Sequence, residues 1–142
     1  MAHSEVEDEI AAPVEEVWKF FGWRTEDERL RQLTEMGALP GSISWSGDQA
    51  GATRTILTAD GDQLVERLET LDEANFRYSY RIIEAGPLPV SGYLGHVEMT
   101  ATGPNSCAIV FRADFNEEPY EAMHQAFCRG AIEAMKTILR AR

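Results

Sequence analysis

The chain has 142 residues, which is enough for one domain with a core of its own. Hydrophobic residues make up 44% and charged residues 26%, a balance typical of globular proteins and unlike that of disordered chains. The 24 acidic and 13 basic residues give a formal net charge of −11. A field of that sign repels phosphate backbones and anionic headgroups, so nucleic-acid binding and attachment to a membrane surface are disfavoured.

The sequence indicates a reduced, cytoplasmic protein. Cys107 and Cys128 are too few and too isolated for a disulfide framework or a metal site, and we expect both to be small buried residues. No apolar run approaches the roughly 20 residues that cross a bilayer, so no membrane insertion is expected. The stretch from Met1 to Glu9 is acidic and lacks the basic and apolar regions of a signal peptide.

The N-terminal part of the chain predicts one strand and two short helices. His3 to Ile10 predicts the strand. Pro13 predicts the start of a helix, because proline is favoured in the first turn. The apolar residues that follow recur at helical spacing and predict one buried face: Val14, Val17, Trp18 and Phe21. Thr25 and Glu28 have the spacing of a capping box, which predicts a second helix from Thr25.

The stretch from Gly41 to Phe115 predicts an antiparallel meander. Apolar and polar residues alternate in six segments separated by turn residues. The predicted strands are Ile43–Ser46, Thr53–Thr58, Gln63–Leu71, Phe76–Glu84, Tyr93–Thr102 and Cys107–Phe115. Consecutive strands joined by short turns pair antiparallel, and the first strand raises the total to about seven.

A long helix is predicted from Glu117 onward, with acidic residues at its start and basic residues at its end. Its apolar residues predict one buried stripe: Tyr120, Met123, Phe127, Ala131, Ala134 or Met135, and Ile138. A long sheet curved around a single helix cannot close flush against it everywhere. We therefore expect an α+β fold with an internal cavity between the sheet and the last helix.

Cross-strand pairing predicts a polar row on the concave face of the sheet. A tight turn at Asp60 places Arg54 opposite Glu66, and a turn centred on Glu73 places Glu66 opposite Tyr80. Alternation with leucines points Glu66 inward. One interpretation is a catalytic polar end of a pocket, in which Glu66 moves a proton while Arg54 or Tyr80 stabilises negative charge. The other is an ion pair between Arg54 and Glu66 that burial alone requires.

Further candidate residues point towards the same space. His124 borders the apolar stripe of the last helix; it is either a hydrogen-bonded surface residue or one that reaches the cavity edge. Predicted ligand-binding residues, with plain core packing as the alternative, are Tyr78, Tyr93, Tyr120, Met123, His124, Phe127 and Ala131. The loop Gly86–Gly92 has glycines at both ends and two prolines between them, which suits either a lid at the cavity mouth or a rigid connector.

Several short motifs, in this order, carry a resemblance to a known superfamily. They are Ile10–Trp18, Gly51–Arg54, Glu66-Arg67-Leu68 with Asp72 beyond, Tyr78–Ile82, Pro87–Val90 with Tyr93 following, and the long last helix. The sequence resembles the START-like helix-grip (SRPBCC) superfamily, and within it the polyketide cyclase/dehydrase-like branch. The resemblance implies a single START-like ligand-binding domain over residues 1–142, with a hydrophobic cavity under the last helix. It implies no single reaction, because members range from carriers and receptors to cyclases.

We expect a carrier or sequestering module that binds a hydrophobic, ring-containing small molecule. The alternative is a cofactor-independent cyclase, dehydrase or isomerase that acts on a polyketide-like or aromatic substrate with Glu66 as acid/base. A third hypothesis is a protein-interaction module in which the Gly86–Gly92 loop reports ligand occupancy. No cofactor and no metal are expected, since no motif for nucleotide, flavin or metal binding is found. The expected assembly is a monomer or homodimer.

Overall fold

The computed structural model describes residues 1–39 and 41–141, and within them seven strands and three α-helices follow the predicted order. The strands are β1 (Ala2–Ile10), β2 (Gly41–Trp45), β3 (Thr53–Thr58), β4 (Gln63–Asp72), β5 (Arg77–Glu84), β6 (Leu94–Gly103) and β7 (Ser106–Phe115). The helices are α1 (Val14–Phe21), α2 (Asp27–Glu35) and α3 (Glu121–Arg140). Single 3-10 turns at Glu73–Asn75 and Glu118–Tyr120 precede β5 and α3.

All strands form one antiparallel sheet in the order β1-β7-β6-β5-β4-β3-β2. The predicted meander from β2 to β7 is therefore confirmed. β1 pairs with β7 at one edge of the sheet, and the two short helices connect β1 to β2 at the opposite edge. Register shifts occur twice in the pairing of β4 with β5, between Val65 and Glu66 and between Leu68 and Thr70. Such bulges bend a strand and add to the curvature of the sheet.

The first two helices differ locally from the prediction. In α1 the buried residues are Val14, Val17 and Phe20, whereas Trp18 is only partly buried. The predicted capping box is wrong: α2 begins at Asp27 without a side-chain cap. The hydroxyl of Thr25 instead donates to the Phe20 carbonyl at 3.0 Å. Thr25 is buried in the link between the helices, and a buried hydroxyl must find a partner close by.

The long helix α3 is rotated relative to the predicted stripe. Met123 and Phe127 are 62% and 53% exposed, while His124 and Cys128 are buried. The buried residues of α3 are His124, Cys128, Ala131, Ile132, Ala134, Met135 and Ile138. The apolar pattern counted His124 as polar and so placed the stripe one residue away. The prediction that Met123 faces the cavity is therefore wrong.

The core consists of two clusters with a cavity between sheet and helices. The larger cluster joins α1, α3 and the central strands, for example through Val17, Phe20 and Met135. The smaller cluster lies around Tyr93 and Phe115. Both predicted buried cysteines, Cys107 and Cys128, are buried and free. No helix in the described ranges has both the length and the apolar character needed to cross a membrane.

Candidate ligand-binding cavity

A cavity of about 210 Å³ lies between the concave face of the sheet and the helices. Its wall contains every predicted site residue except Met123, namely Arg54, Glu66, Tyr78, Tyr80, Tyr93, Tyr120, His124, Phe127 and Ala131. Phe127 and Ala131 also border a second groove, between α3 and the segment Met36–Ala38 that follows α2. Half of the Phe127 side chain is exposed, so this residue lies at the rim of the cavity.

Arg54 and Glu66 form a buried ion pair at one end of the cavity. The predicted register is confirmed: the two residues are direct partners of β3 and β4. Arg54 Nε donates to Glu66 Oε1 at 2.6 Å, and the side chains are 11% and 8% exposed. Since the charges neutralise each other inside the cavity, the pair adds no net charge to its wall.

The predicted pairing of Glu66 with Tyr80 is wrong by two residues. Glu66 lies opposite Ile82, and Tyr80 lies opposite Leu68. The reason is the turn before β5, where a 3-10 turn ends at Phe76 in the left-handed conformation and Asp72 pairs with Arg77 rather than Ala74. The bulge between Leu68 and Thr70 then moves the pairing back by one residue. A shift of two residues keeps the side chain on the same face, so Tyr80 still lines the cavity.

Aromatic rings and a backbone carbonyl complete the environment of Arg54. Its Nη1 donates to the Trp23 carbonyl at 3.0 Å and to the Tyr78 hydroxyl at 3.4 Å. The guanidinium carbon lies 4.7 Å from the Trp23 ring centre and 5.3 Å from that of Tyr80. Burial disfavours the charged guanidinium, but the Glu66 carboxylate and the tyrosine oxygens outweigh it and raise the pKa of Arg54. Trp23 was not among the predicted site residues, because sequence spacing places it only near the short helices.

Two polar atoms of the pair remain available to a ligand. Within residues 1–39 and 41–141, neither Glu66 Oε2 nor Arg54 Nη2 takes part in a hydrogen bond. Both residues line the cavity. One end of the cavity therefore offers a hydrogen-bond acceptor beside a donor.

A second polar group, the hydroxyl-imidazole chain of Ser4, His124, Tyr93 and Tyr80, lies at the other end. Ser4 Oγ is 2.7 Å from His124 Nδ1, and Tyr93 OH is 2.9 Å from His124 Nε2. Tyr93 OH is in turn 3.0 Å from Tyr80 OH. His124 is thus a buried residue at the cavity wall rather than a surface residue, and its burial lowers its pKa and favours the neutral ring. Ser4 was missed, although it alternates with the buried Ala2 and Val6 on the inward face of β1.

Burial also fixes the protonation of the tyrosines. Desolvation raises the pKa of Tyr78, of Tyr80 and of Tyr93 above the ordinary value. These phenols are therefore neutral near pH 7 and act as hydrogen-bond donors and acceptors rather than as bases.

Gly95 on β6 allows Tyr80 to occupy its position. The two residues are cross-strand partners, and the Tyr80 ring lies directly over the glycine. A Cβ atom on Gly95 would lie 2.5 Å from Tyr80 Cζ and 2.8 Å from its hydroxyl oxygen. A glycine inside a strand often marks such a close approach, and this signal was present in the sequence.

The loop Gly86–Gly92 is fixed at its C-terminal end. The Ser91 amide and hydroxyl donate to the Glu117 carboxylate at 2.8 and 2.5 Å, and Asn116 Nδ2 donates to Ser91 Oγ at 3.1 Å. Leu88 reaches the cavity wall. Whether the loop is a lid or a connector stays a prediction. In the described part of the chain, no group of three His, Cys, Asp or Glu side chains is arranged to hold a metal ion.

A protein-family model matches the whole chain. The family model described as "Polyketide cyclase / dehydrase and lipid transport" matches residues 1–142. The chain belongs to this family. The predicted superfamily is therefore confirmed, while the family description covers both cyclase or dehydrase chemistry and lipid transport.

Solved structures share the helix-grip fold. The protein XoxI from Bacillus cereus is 23% identical with a TM-score of 0.76, covering 97% of this chain and 95% of that one. An uncharacterised protein from Bacillus thuringiensis is 24% identical with a TM-score of 0.74, covering 96% and 98%. Norcoclaurine synthase from Thalictrum flavum, in complex with dopamine and hydroxybenzaldehyde, is 18% identical with a TM-score of 0.67, covering 99% and 87%. At these identities the likeness concerns the fold alone. No curated protein matches the chain in sequence.

Proposed function

We propose that this protein binds a hydrophobic, ring-containing small molecule in its internal cavity and acts as a carrier or sequestering module. The observation that carries the proposal is the array of aromatic side chains along the cavity wall. Tyr78 and Tyr80 have ring centres 5.9 Å apart, and Tyr80 and Tyr93 have ring centres 5.7 Å apart. These rigid rings form a continuous surface on which a flat molecule can pack.

The size of the cavity favours a small ligand. A dry apolar cavity of about 150 Å³ in another protein binds benzene. The cavity here, at about 210 Å³, is suited to one ring or two fused rings. A rigid ring also loses less conformational freedom on binding than a flexible chain with the same number of carbon atoms.

The proposal is tested with indane and n-nonane, which have equal numbers of carbon atoms but differ in ring content. Nitrogen-15-labelled protein is titrated with each compound, and amide shifts are followed by NMR. We expect indane to bind with shift changes at Gly95 and Ala131, and n-nonane to bind at least fivefold more weakly. Equal affinities would contradict the ring preference.

Two variants of α3 locate the binding site. Ala131→Phe places a ring inside the cavity, because Ala131 is buried and lines it, and should weaken indane binding at least tenfold. Ala122→Phe makes the same change at an exposed position of the same helix and should leave binding unchanged. If Ala131→Phe binds indane as well as the unmodified protein does, the internal cavity is not the site.

A second candidate function is a cofactor-independent cyclase, dehydrase or isomerase that acts on a polyketide-like or aromatic substrate. The observation that favours it is the buried Glu66 carboxylate at the cavity wall, with one oxygen paired to Arg54 and the other facing no described donor. In this reaction Glu66 would move a proton, and Arg54 or Tyr80 would stabilise negative charge on a substrate oxygen. The enzyme name of norcoclaurine synthase is compatible with this use of the fold.

Native mass spectrometry of protein isolated from its source cells would identify a bound molecule and so a substrate to test. With that substrate, Glu66→Gln keeps the shape of the side chain but removes its capacity to accept a proton. A drop in turnover of at least a hundredfold with retained binding supports the enzyme. Unchanged turnover rules out the acid/base role of Glu66.

A further inference from the structure

The hydrogen-bond chain from Ser4 to Tyr80 has a direction that its buried end determines. Ser4 is fully buried, and among the described residues the only partner of its hydroxyl is His124 Nδ1. A buried hydroxyl without an acceptor is costly, so Ser4 donates its proton to His124 Nδ1. A neutral imidazole carries one proton, which then lies on Nε2. Burial without a described carboxylate partner keeps the ring neutral.

The remaining protons follow from this tautomer. His124 Nε2–H donates to the Tyr93 oxygen at 2.9 Å, so Tyr93 directs its own proton to the Tyr80 oxygen at 3.0 Å. The Tyr80 proton then has no acceptor in the described part of the chain, and Tyr80 lines the cavity. Cys128 does not reverse the order, because its sulfur is 3.9 Å from each ring nitrogen and lies along neither lone-pair direction.

We propose that Ser4 and His124 are positioning residues that make Tyr80 a hydrogen-bond donor into the cavity, and that the ligand places an uncharged oxygen acceptor against it. The inference rests on the proposed binding function and narrows the chemistry of the ligand. Cooperative polarisation along the chain strengthens the last donor. A ring with a carbonyl or ether oxygen satisfies this donor. A ring whose only polar group is an N–H donor cannot pair with Tyr80, and its partner in the cavity would be Glu66 Oε2 instead.

The same geometry disfavours a charged ligand. Arg54 and Glu66 already neutralise each other at their end of the cavity, and the chain at the other end is neutral throughout. Gly95 holds the Tyr80 hydroxyl in reach of this chain, since any larger residue would displace the ring. The cavity therefore selects by the position of hydrogen-bonding groups on an uncharged ligand, and Tyr80 calls for an acceptor at its end.

The test uses three compounds of similar shape: indane without a polar group, 1-indanone with an acceptor, and indole with an N–H donor. Affinities are measured by the same NMR titration. We expect 1-indanone to bind about fivefold more tightly than indane, the gain of one buried hydrogen bond from Tyr80. Any gain of indole over indane would come from Glu66 Oε2 and should be the same in Tyr80→Phe. Infrared spectroscopy of bound 1-indanone should show the carbonyl stretch at a lower wavenumber than in hexane, and Tyr80→Phe should move the stretch back towards its value in hexane.

Variants test whether the hydrogen-bond chain from Ser4 to Tyr80 causes the tighter binding of 1-indanone. In Tyr80→Phe the affinity ratio of 1-indanone to indane should fall to about one. Ser4→Ala frees the His124 tautomer and should lower the ratio at least twofold, and Ser4→Thr, which keeps the hydroxyl, should restore it. A general change in cavity shape alters the affinities for 1-indanone and indane alike, so it leaves their ratio unchanged. A purely structural role of Ser4 would therefore not move the ratio.

Two results would overturn the inference: a ratio of 1-indanone to indane affinity near one in the unmodified protein, or an unchanged ratio in Tyr80→Phe. If indane binds while 1-indanone gains nothing, the directed donor is wrong and the proposed function stands. If none of the three compounds binds, the proposed function fails, and this inference fails with it.

Discussion

The two ends of the cavity solve the burial of polar groups in opposite ways. At one end Arg54 and Glu66 are both charged and compensate each other at 2.6 Å. At the other end His124 and its hydroxyl partners are neutral, and each group donates to the next. A charged pair is costly to break because the remaining charge stays buried, whereas a neutral chain costs less but fixes a direction. Removing one charge should therefore destabilise the charged end most, whereas a change of pH should affect the neutral end.

The largest effect is expected at the charged end. Arg54→Met removes one charge and leaves the Glu66 carboxylate buried, which should lower the free energy of unfolding by about 3–5 kcal/mol. Urea unfolding followed by circular dichroism measures the loss. The double variant Arg54→Met/Glu66→Leu removes both charges and should regain most of it.

A surface pair supplies the control for this experiment. Arg24 is paired with Asp48 at 3.1 Å, but both side chains are about half exposed. Arg24→Met makes the same chemical change where water screens the charges, and the loss should be far smaller. Similar losses at Arg24 and Arg54 would contradict the view that burial makes the cavity pair costly to break.

The second effect concerns the position of Tyr80 between the two ends. Gly95→Ala places a methyl group 2.5 Å from Tyr80 Cζ and should destabilise the fold by about 1–3 kcal/mol. Urea unfolding in a Tyr80→Leu background should show a much smaller cost, because the colliding ring is gone. In contrast, Gly130→Ala on α3 meets no atom within 4 Å and should stabilise the helix by about 0.5–1 kcal/mol. Additive costs of Gly95→Ala and Tyr80→Leu would show that the ring does not depend on the glycine.

The contrast between the two ends also explains what the sequence could predict. Arg54 and Glu66 lie only 12 positions apart across one hairpin, so the register follows from a single turn. The next pairing was predicted wrongly because Phe76 adopts a left-handed conformation and β4 carries a bulge between Leu68 and Thr70, neither of which alternation reveals. The order of elements was predictable for the same reason as the first pair, since most neighbours in the sheet are neighbours in the chain.

The neutral end depends on distant contacts and was predicted less well. His124 pairs with Ser4, 120 positions earlier, and with Tyr93, 31 positions earlier. Because these partners are distant in the chain, the sequence left His124 open between the surface and the cavity edge, and the rotation of α3 was missed. Met123 became a false site residue through the same error. Contacts between residues this far apart in the sequence form only in the folded protein, so local sequence patterns do not predict them.

The smallest effect is a pH dependence confined to the neutral end. Burial lowers the pKa of His124 in the folded protein below its ordinary value of about 6.5. The unfolded chain then binds more protons than the folded one between these two pKa values, so stability rises with pH through this window. The contribution is complete above about pH 6.5 and is lost as the pH falls below it. His124 faces Ser4, Tyr93, Tyr120 and Cys128, all neutral there, so its own protonation dominates the local response.

Urea unfolding between about pH 5 and pH 8 separates this contribution from the rest of the molecule. All other ionisable groups are shared by the two proteins, so their contributions cancel in the comparison with His124→Gln. We expect the variant to be less stable throughout but to show a shallower dependence on pH below about 6.5 than the unmodified protein. Parallel curves would mean that the pKa of His124 is the same in the folded and unfolded states. Burial next to Ser4 and Tyr93 would then not disfavour the charged ring, and the contrast between a charged and a neutral end of the cavity would fail.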